Sequence, residues 1–180
     1  MTDAGYFALK VESAPSWLEV PGVRDVCSAS HHVSSAPDGW VERWLHNGFG
    51  WFNRASDALA VVPARQRASY RLFAYRIHPH RFCEGAAMAF TWPADATPEP
   101  IPESFRSLGF DIVNKTMEDV LGFECSPLSC NYMARELLVN EHCLFRSLED
   151  ALAGAARFSV EKPEPGDYYV VEVLECPEAA

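Results

Sequence analysis

Two thiols separated by four residues, Cys125 and Cys130, stand in the run Phe123-Glu124-Cys125-Ser126-Pro127-Leu128-Ser129-Cys130-Asn131, which also holds two hydroxyls, a carboxylate and an amide. A second donor group lies upstream, where His78, His80 and Cys83 have the spacing His-x-His-x-x-Cys. Zinc takes three or four N and S donors gathered from short segments, so the two groups together would supply a site. The metal expectation is therefore His78, His80, Cys83, Cys125 and Cys130, with zinc as the ion. The other chemistry open to this run is nucleophilic. Ser129 is placed to cap a helix through Tyr132, Met133, Glu136 and Leu137, and a cysteine at a helix N-terminus is driven toward thiolate by the dipole. Cys130 is then the nucleophile candidate, Cys125 its neighbour, and Glu124, His142 or His80 the base or orienting group.

Other arrangements carry less. His31-His32 and Glu141-His142-Cys143 offer further ligands, but adjacent side chains on an extended segment point to opposite faces. Cys125-Ser126-Pro127-Leu128-Ser129 comes close to the Cys-x-Pro-Ser/Ala-Arg signature of sulfatases, but lacks the arginine in a chain far shorter than that fold. No glycine-rich phosphate loop, His-Glu-x-x-His or Gly-x-Ser-x-Gly is present, so nucleotide-dependent chemistry has no support.

The elements that must position these groups read as an α+β arrangement in one domain, with a mixed or mainly antiparallel sheet. Strands are expected at Tyr6 to Val11, Phe49 to Phe52, Tyr70 to Ile77, Phe110 to Val113, Glu141 to Phe145 and Tyr168 to Leu174. Tyr70 to Ile77 is apolar on both faces and suits a central position. Helices are expected after Asp38, through Asp57 to Val62 with Asn53 as cap, and from Leu148 to Phe158. Gly109 should end a short helical turn from Glu103. Ser147 to Asp150 has capping-box spacing, with Asp in place of the usual Glu or Gln. Four prolines between residues 93 and 102 make a stiff connector between halves 1–92 and 103–180.

The halves share a pattern. Setting Asn47 against Asn140 aligns Leu45 with Leu138, Phe52 with Phe145, and Asp57-Ala58-Leu59-Ala60 with Asp150-Ala151-Leu152-Ala153. Each half then runs to a tyrosine-led strand, at Tyr70 and at Tyr168, which suggests a duplicated strand-helix-strand unit. Left-handed helix termini are the expectation for the two asparagines.

Composition bounds the rest. The chain has 180 residues and a net charge of −10, from 25 acidic and 15 basic side chains. Such a surface repels phosphate backbones and anionic lipid, so nucleic acid and membrane are excluded as partners and a protein with a basic surface is expected. No apolar stretch approaches the ~20 residues of a membrane span, and residues 1–30 lack the apolar core of a leader. A cytoplasmic location follows, with the six cysteines as free thiols. The leading expectation is an acidic, non-catalytic binding protein of the immunity, inhibitor or accessory kind. A metal- or thiol-dependent enzyme centred on Cys125 and Cys130 is the alternative, and a small-molecule pocket walled by Trp40, Trp44, Trp51 and Trp92 a third class.

Overall fold

A computed structural model describes residues 1–11, 13, 16, 18–30, 37, 47–115, 125–130 and 133–177. The helix expected after Asp38, with Trp40 and Trp44, and the residues His31, His32, Glu124, Asn131 and Tyr132 lie outside these. The elements are β1 (Thr2–Leu9), α1 (Ala55–Ala60), a 3-10 turn (Ala64–Ser69), β2 (Arg71–Cys83), β3 (Ala86–Ala89), β4 (Arg106–Lys115), α2 (Pro127–Cys130), a second 3-10 turn (Met133–Glu136), α3 (Leu148–Glu161) and β5 (Asp167–Glu175). The fold is α+β. One five-stranded sheet runs in the order β1-β2-β5-β4, with β3 pairing β2, and every pair is antiparallel.

Sequence pattern explains the sheet interior. Successive side chains of β5 divide between two apolar clusters, Tyr168 and Val170 on one side, Tyr169, Val171 and Val173 on the other. A strand buried on both faces has to be apolar at consecutive positions, as Tyr-Tyr-Val-Val is. β2, also apolar on both faces, holds the central position expected of it. α3 packs on β5, β4 and β2, and α1 packs on β1 and β2. At the closest approach of α3, a Cβ on Gly154 would lie 2.8 Å from Ile112 Cδ1, so glycine sets the helix-to-sheet distance.

Helix α3 starts where its capping residues place it. Ser147 Oγ accepts from the Asp150 backbone N–H at 3.1 Å and donates to Asp150 Oδ2 at 2.6 Å. Ser147→Ala is expected to cost about 1 kcal/mol, checked by urea unfolding, since the first turn then loses its side-chain acceptor. By contrast α1 has no side-chain cap. The expected cap Asn53 instead donates to the Asp95 carbonyl and accepts from Asn47, which ties the proline-rich connector to the first half.

Several expected elements are different in the structure. β2 continues through His78 to Cys83, with a register shift between Ile77 and Arg81, so the histidines sit on a strand and not in a loop. Gly109 does not end a helical turn but lies inside β4 at a bulge, with φ +137°. Phe49 to Phe52 and Glu141 to Phe145 are not strands. They are compact loops with only isolated bridges at Phe52 and Phe145, because the asparagine that opens each loop takes up the backbone groups a strand partner would use.

Those loops share most of their bonds, the one from Asn47 Nδ2 to Asn53 Oδ1 having an arginine, Arg146, at the matching position. Asn47 Nδ2 donates to the Ala4 carbonyl and Asn140 Nδ2 to the Leu108 carbonyl, each just before a bulge glycine, Gly5 or Gly109. Asn47 Oδ1 accepts from the N–H of Phe49 and Trp51, and Asn140 Oδ1 from His142 and Leu144. Three residues after each asparagine the backbone is left-handed, at Gly50 (φ 79°) and Cys143 (φ 60°). Phe52 then exchanges two backbone bonds with Tyr6, as Phe145 does with Phe110. Neither asparagine is itself left-handed among the positive-φ residues, so their role is to bind a loop to a bulge and not to end a helix. One difference matters for chemistry: the position two after the asparagine is Phe49 in one loop and His142 in the other.

Candidate functional site: an Asp-Cys-His cluster

The loop that begins at Asn140 carries His142 against the segment 24–27. The backbone N–H groups of Arg24 and Asp25 donate to the Glu141 carbonyl at 2.8 and 3.3 Å, and that of Cys27 to the His142 carbonyl at 3.1 Å. Asp25 and Cys27 are two apart on this extended piece, so both side chains turn to the same side. Asp25 Oδ1 lies 2.6 Å from His142 Nδ1 and 3.3 Å from Cys27 Sγ, and Cys27 Sγ is 3.9 Å from the same ring nitrogen. Among the described residues this is the one group of three or more His, Cys, Asp or Glu donor atoms within 4.8 Å of one another.

Asp25 continues into a charged chain. Its Oδ2 takes Arg71 at 3.1 Å, Arg71 also bonds Glu175, and Glu175 receives Arg106 at 3.1 Å. Arg71, Glu175 and Arg106 line a cavity of about 330 Å³. Burial alone would raise the Asp25 carboxyl, but the bonds from His142 and Cys27 and the charge on Arg71 outweigh it and hold it low. Burial likewise opposes ionisation of Glu175, and its bonds to Arg71 and Arg106 prevail, leaving its pKa below the ordinary glutamate value. A carboxyl depressed in the fold adds stability above its unfolded pKa of ~4.3, and that contribution disappears as pH falls through the folded value. Glu175→Gln is therefore expected to cost about 1–3 kcal/mol at pH 7. Its deficit against the parent should shrink on acidification, as read from urea midpoints across that range.

The cluster is not arranged as a nucleophile with its base. A relay needs the thiol on one ring nitrogen and the carboxylate on the other. Here Asp25 and Cys27 both face Nδ1. Burial also drives the Cys27 thiol far above the ordinary cysteine range, so it stays protonated at neutral pH in the absence of a cation.

The sequence-derived candidates are distributed elsewhere. Cys130 is the last residue of the four-residue α2, and its N–H donates to the Ser126 carbonyl at 2.8 Å. That N–H is therefore already bonded within the turn and is not one of the free donors of a helix start. Its Sγ lies 3.9 Å from both Ser30 Oγ and Ser129 Oγ. The Cys125 N–H donates to Asn114 Oδ1. His78 and His80 stand side by side on β2 with ring centroids 5.4 Å apart, and burial lowers the His78 pKa. At the end of the same strand a hydrogen bond to Asp167 and that residue's negative charge raise the Cys83 thiol. Trp51 and Trp92 belong to an aromatic cluster in the core, with Trp51 stacked on Tyr75 at 4.4 Å and Trp92 edge-on to Phe49. Of the residues singled out as ligand or base, His142 alone enters the three-donor group. Asp25 and Cys27 were missed, although their Asp-x-Cys spacing was a readable signal for two donors on one side of an extended segment.

Within the cysteine-rich run, Ser126 is bonded to the sheet. Asp111, fully buried in β4, accepts four hydrogen bonds. Oδ2 takes Ser28 Oγ and the Ala29 N–H, both at 2.8 Å. Oδ1 takes Ser126 Oγ at 2.6 Å and the Ile112 N–H at 2.8 Å. Burial pushes this carboxyl up, against the pull of the four donors. One carboxylate thus joins the segment after Cys27 and the segment before α2 to the sheet.

No family model matches the chain, and searches of curated proteins and of solved structures likewise find no match. No helix among the described residues is long and apolar enough to cross a membrane.

Proposed function

We propose that this is an acidic, non-catalytic binding protein of the cytoplasm, an immunity, inhibitor or accessory factor that engages a partner with a basic surface. The observation that carries this reading is the charge of −10. It is supported by nine arginine and lysine side chains among the described residues already engaged in ion pairs, which leaves the acid excess to an incoming partner. A docking place is offered by a groove of about 340 Å³ between the second 3-10 turn and α3. Leu137, Phe145 and Ala153 line it beside Asp150 and the Glu136–Arg157 ion pair, and Leu138 in its lining is 90% exposed. An apolar strip with the Asp150 carboxylate beside it suits a basic segment that also carries an apolar anchor.

The test is affinity capture from the native cell extract at low and high salt, with the parent chain and with Leu138→Asp. The expected result is a basic protein held by the parent at low salt, released at high salt, and bound at least about tenfold more weakly by the variant. Retention indifferent to ionic strength and to Leu138 would end the proposal.

We further propose that the two halves descend from one duplicated unit, supported by the shared bonding pattern of the loops at Asn47 and Asn140. Replacing residues 140–145 with the sequence of 47–52 is expected to preserve cooperative unfolding, with a packing penalty where Leu144 becomes tryptophan. Loss of the folded state in that chimera, but not in a control carrying Leu144→Trp alone, would count against equivalence.

A further inference from the structure

We infer that Asp25, Cys27 and His142 form a binding site for one zinc ion, bound through Asp25 Oδ1, Cys27 Sγ and His142 Nδ1 with the fourth position open to solvent. The donor set is one carboxylate oxygen, one thiolate sulfur and one imidazole nitrogen, all of them ordinary zinc ligands. Bond lengths of ~2.0–2.3 Å in a tetrahedron require ligand atoms ~3.4–3.6 Å apart. The sulfur is 3.3 Å from the oxygen and 3.9 Å from the nitrogen, which brackets that spacing. The oxygen and nitrogen are 2.6 Å apart, and exchanging the proton between them for an ion opens them by about 0.8 Å.

The surroundings fit a metal. Three backbone hydrogen bonds clamp the two ligand-bearing segments together, so the donors are held in place before an ion arrives. Asn140 Oδ1 fixes the His142 backbone at 2.8 Å. Arg71 takes the outer oxygen of Asp25 and leaves Oδ1 facing inward, the outer-partner arrangement that orients ligands at metal centres. Charge balances as well. The ion's two positive charges meet one carboxylate and one thiolate, while Arg71 is neutralised by Glu175. Asp25 is partly exposed, with 23% of its side-chain surface accessible, and this gives an ion its way in. Cys27 and His142 are buried, which shields the thiolate once it forms. Binding releases the thiol proton to solvent and leaves His142 as a neutral imidazole with its ring proton on Nε2, with no change of oxidation state.

The test uses the full chain, reduced and stripped of metal, titrated with cobalt(II) and then zinc(II). One equivalent of cobalt should give a tetrahedral visible spectrum with a near-ultraviolet thiolate-to-metal band, and zinc should bleach both. Cys27→Ser should remove the near-ultraviolet band and weaken zinc by more than the ~10–100-fold that loss of an outer partner costs. Cys143→Ser, whose parent thiol bonds the Leu128 carbonyl, should leave the band intact. X-ray absorption on the zinc-loaded parent keeps the test independent of variant folding, with one sulfur at ~2.3 Å expected among N and O neighbours. Substoichiometric binding, a cobalt spectrum without a sulfur band, zinc with no sulfur neighbour, or a band abolished by Cys130→Ser but not Cys27→Ser would each overturn the site.

Discussion

Gly109→Ala is expected to lower stability by about 3–5 kcal/mol, which for a chain of this length is a fall in Tm on the order of 10 °C. Two costs combine. At φ +137° the backbone is in a region that L side chains rarely adopt, and the added Cβ would stand 2.6 Å from the Phe145 carbonyl oxygen and 2.8 Å from Asn140 Nδ2. Those atoms cannot yield cheaply, because they form the bonds that seat the loop carrying His142. Gly5→Ala should behave alike, with its Cβ 2.8 Å from the Phe52 carbonyl oxygen and 3.2 Å from Asn47 Nδ2. Gly22→Ala separates the contributions. Its φ is +84° but nothing lies within 4 Å of the added atom, so about 1 kcal/mol of backbone strain is all it should show. Thermal melts of the three variants decide the matter. If Gly109→Ala costs no more than Gly22→Ala, the close approach of loop and bulge is not what requires glycine.

Asp111→Asn is expected to cost about 2–4 kcal/mol. The carboxylate oxygens each accept two bonds, and an amide can replace only one of them. Its NH₂ must then face either Ser28 Oγ with the Ala29 N–H, or Ser126 Oγ with the Ile112 N–H. A buried backbone N–H would meet another donor in both cases. The serines can rotate their hydroxyls to accept from the amide, so Ser28→Ala and Ser126→Ala should each cost about 1–2 kcal/mol. Urea unfolding of the single and combined variants measures this. Additive losses in Asp111→Asn and Ser126→Ala would show that the carboxylate does not join the two segments. A combined loss well below the sum is the outcome of a shared network.

Much of the fold was determined by local sequence. The tyrosine-led strands β2 and β5 are apolar on both faces, and a chain with such strands has to bury them at the middle of a sheet, as β1-β2-β5-β4 does. Ser147 and Asp150 set the start of α3 within four residues of each other, which is why that boundary could be read. The match of Asn47 to Asn140 was visible too, because equal spacing to Phe52 and Phe145 needs no knowledge of three dimensions.

What only the tertiary structure decided were pairings across long stretches of chain. Asp25 reaches His142 over 117 residues and Asp111 reaches Ser28 over 83, and no periodicity encodes which loop meets which segment. The same holds for Gly109, which reads as a helix stop until the opposing Phe145 backbone is in view. Cys130 looked reactive because a serine precedes it, but its N–H is already bonded to the Ser126 carbonyl inside a turn that begins at Pro127. Local rules supply the strands and caps, since their energies arise between neighbours in sequence. The Asp25, Cys27 and His142 cluster arises where two distant segments exchange backbone hydrogen bonds, and that contact belongs to the folded chain as a whole.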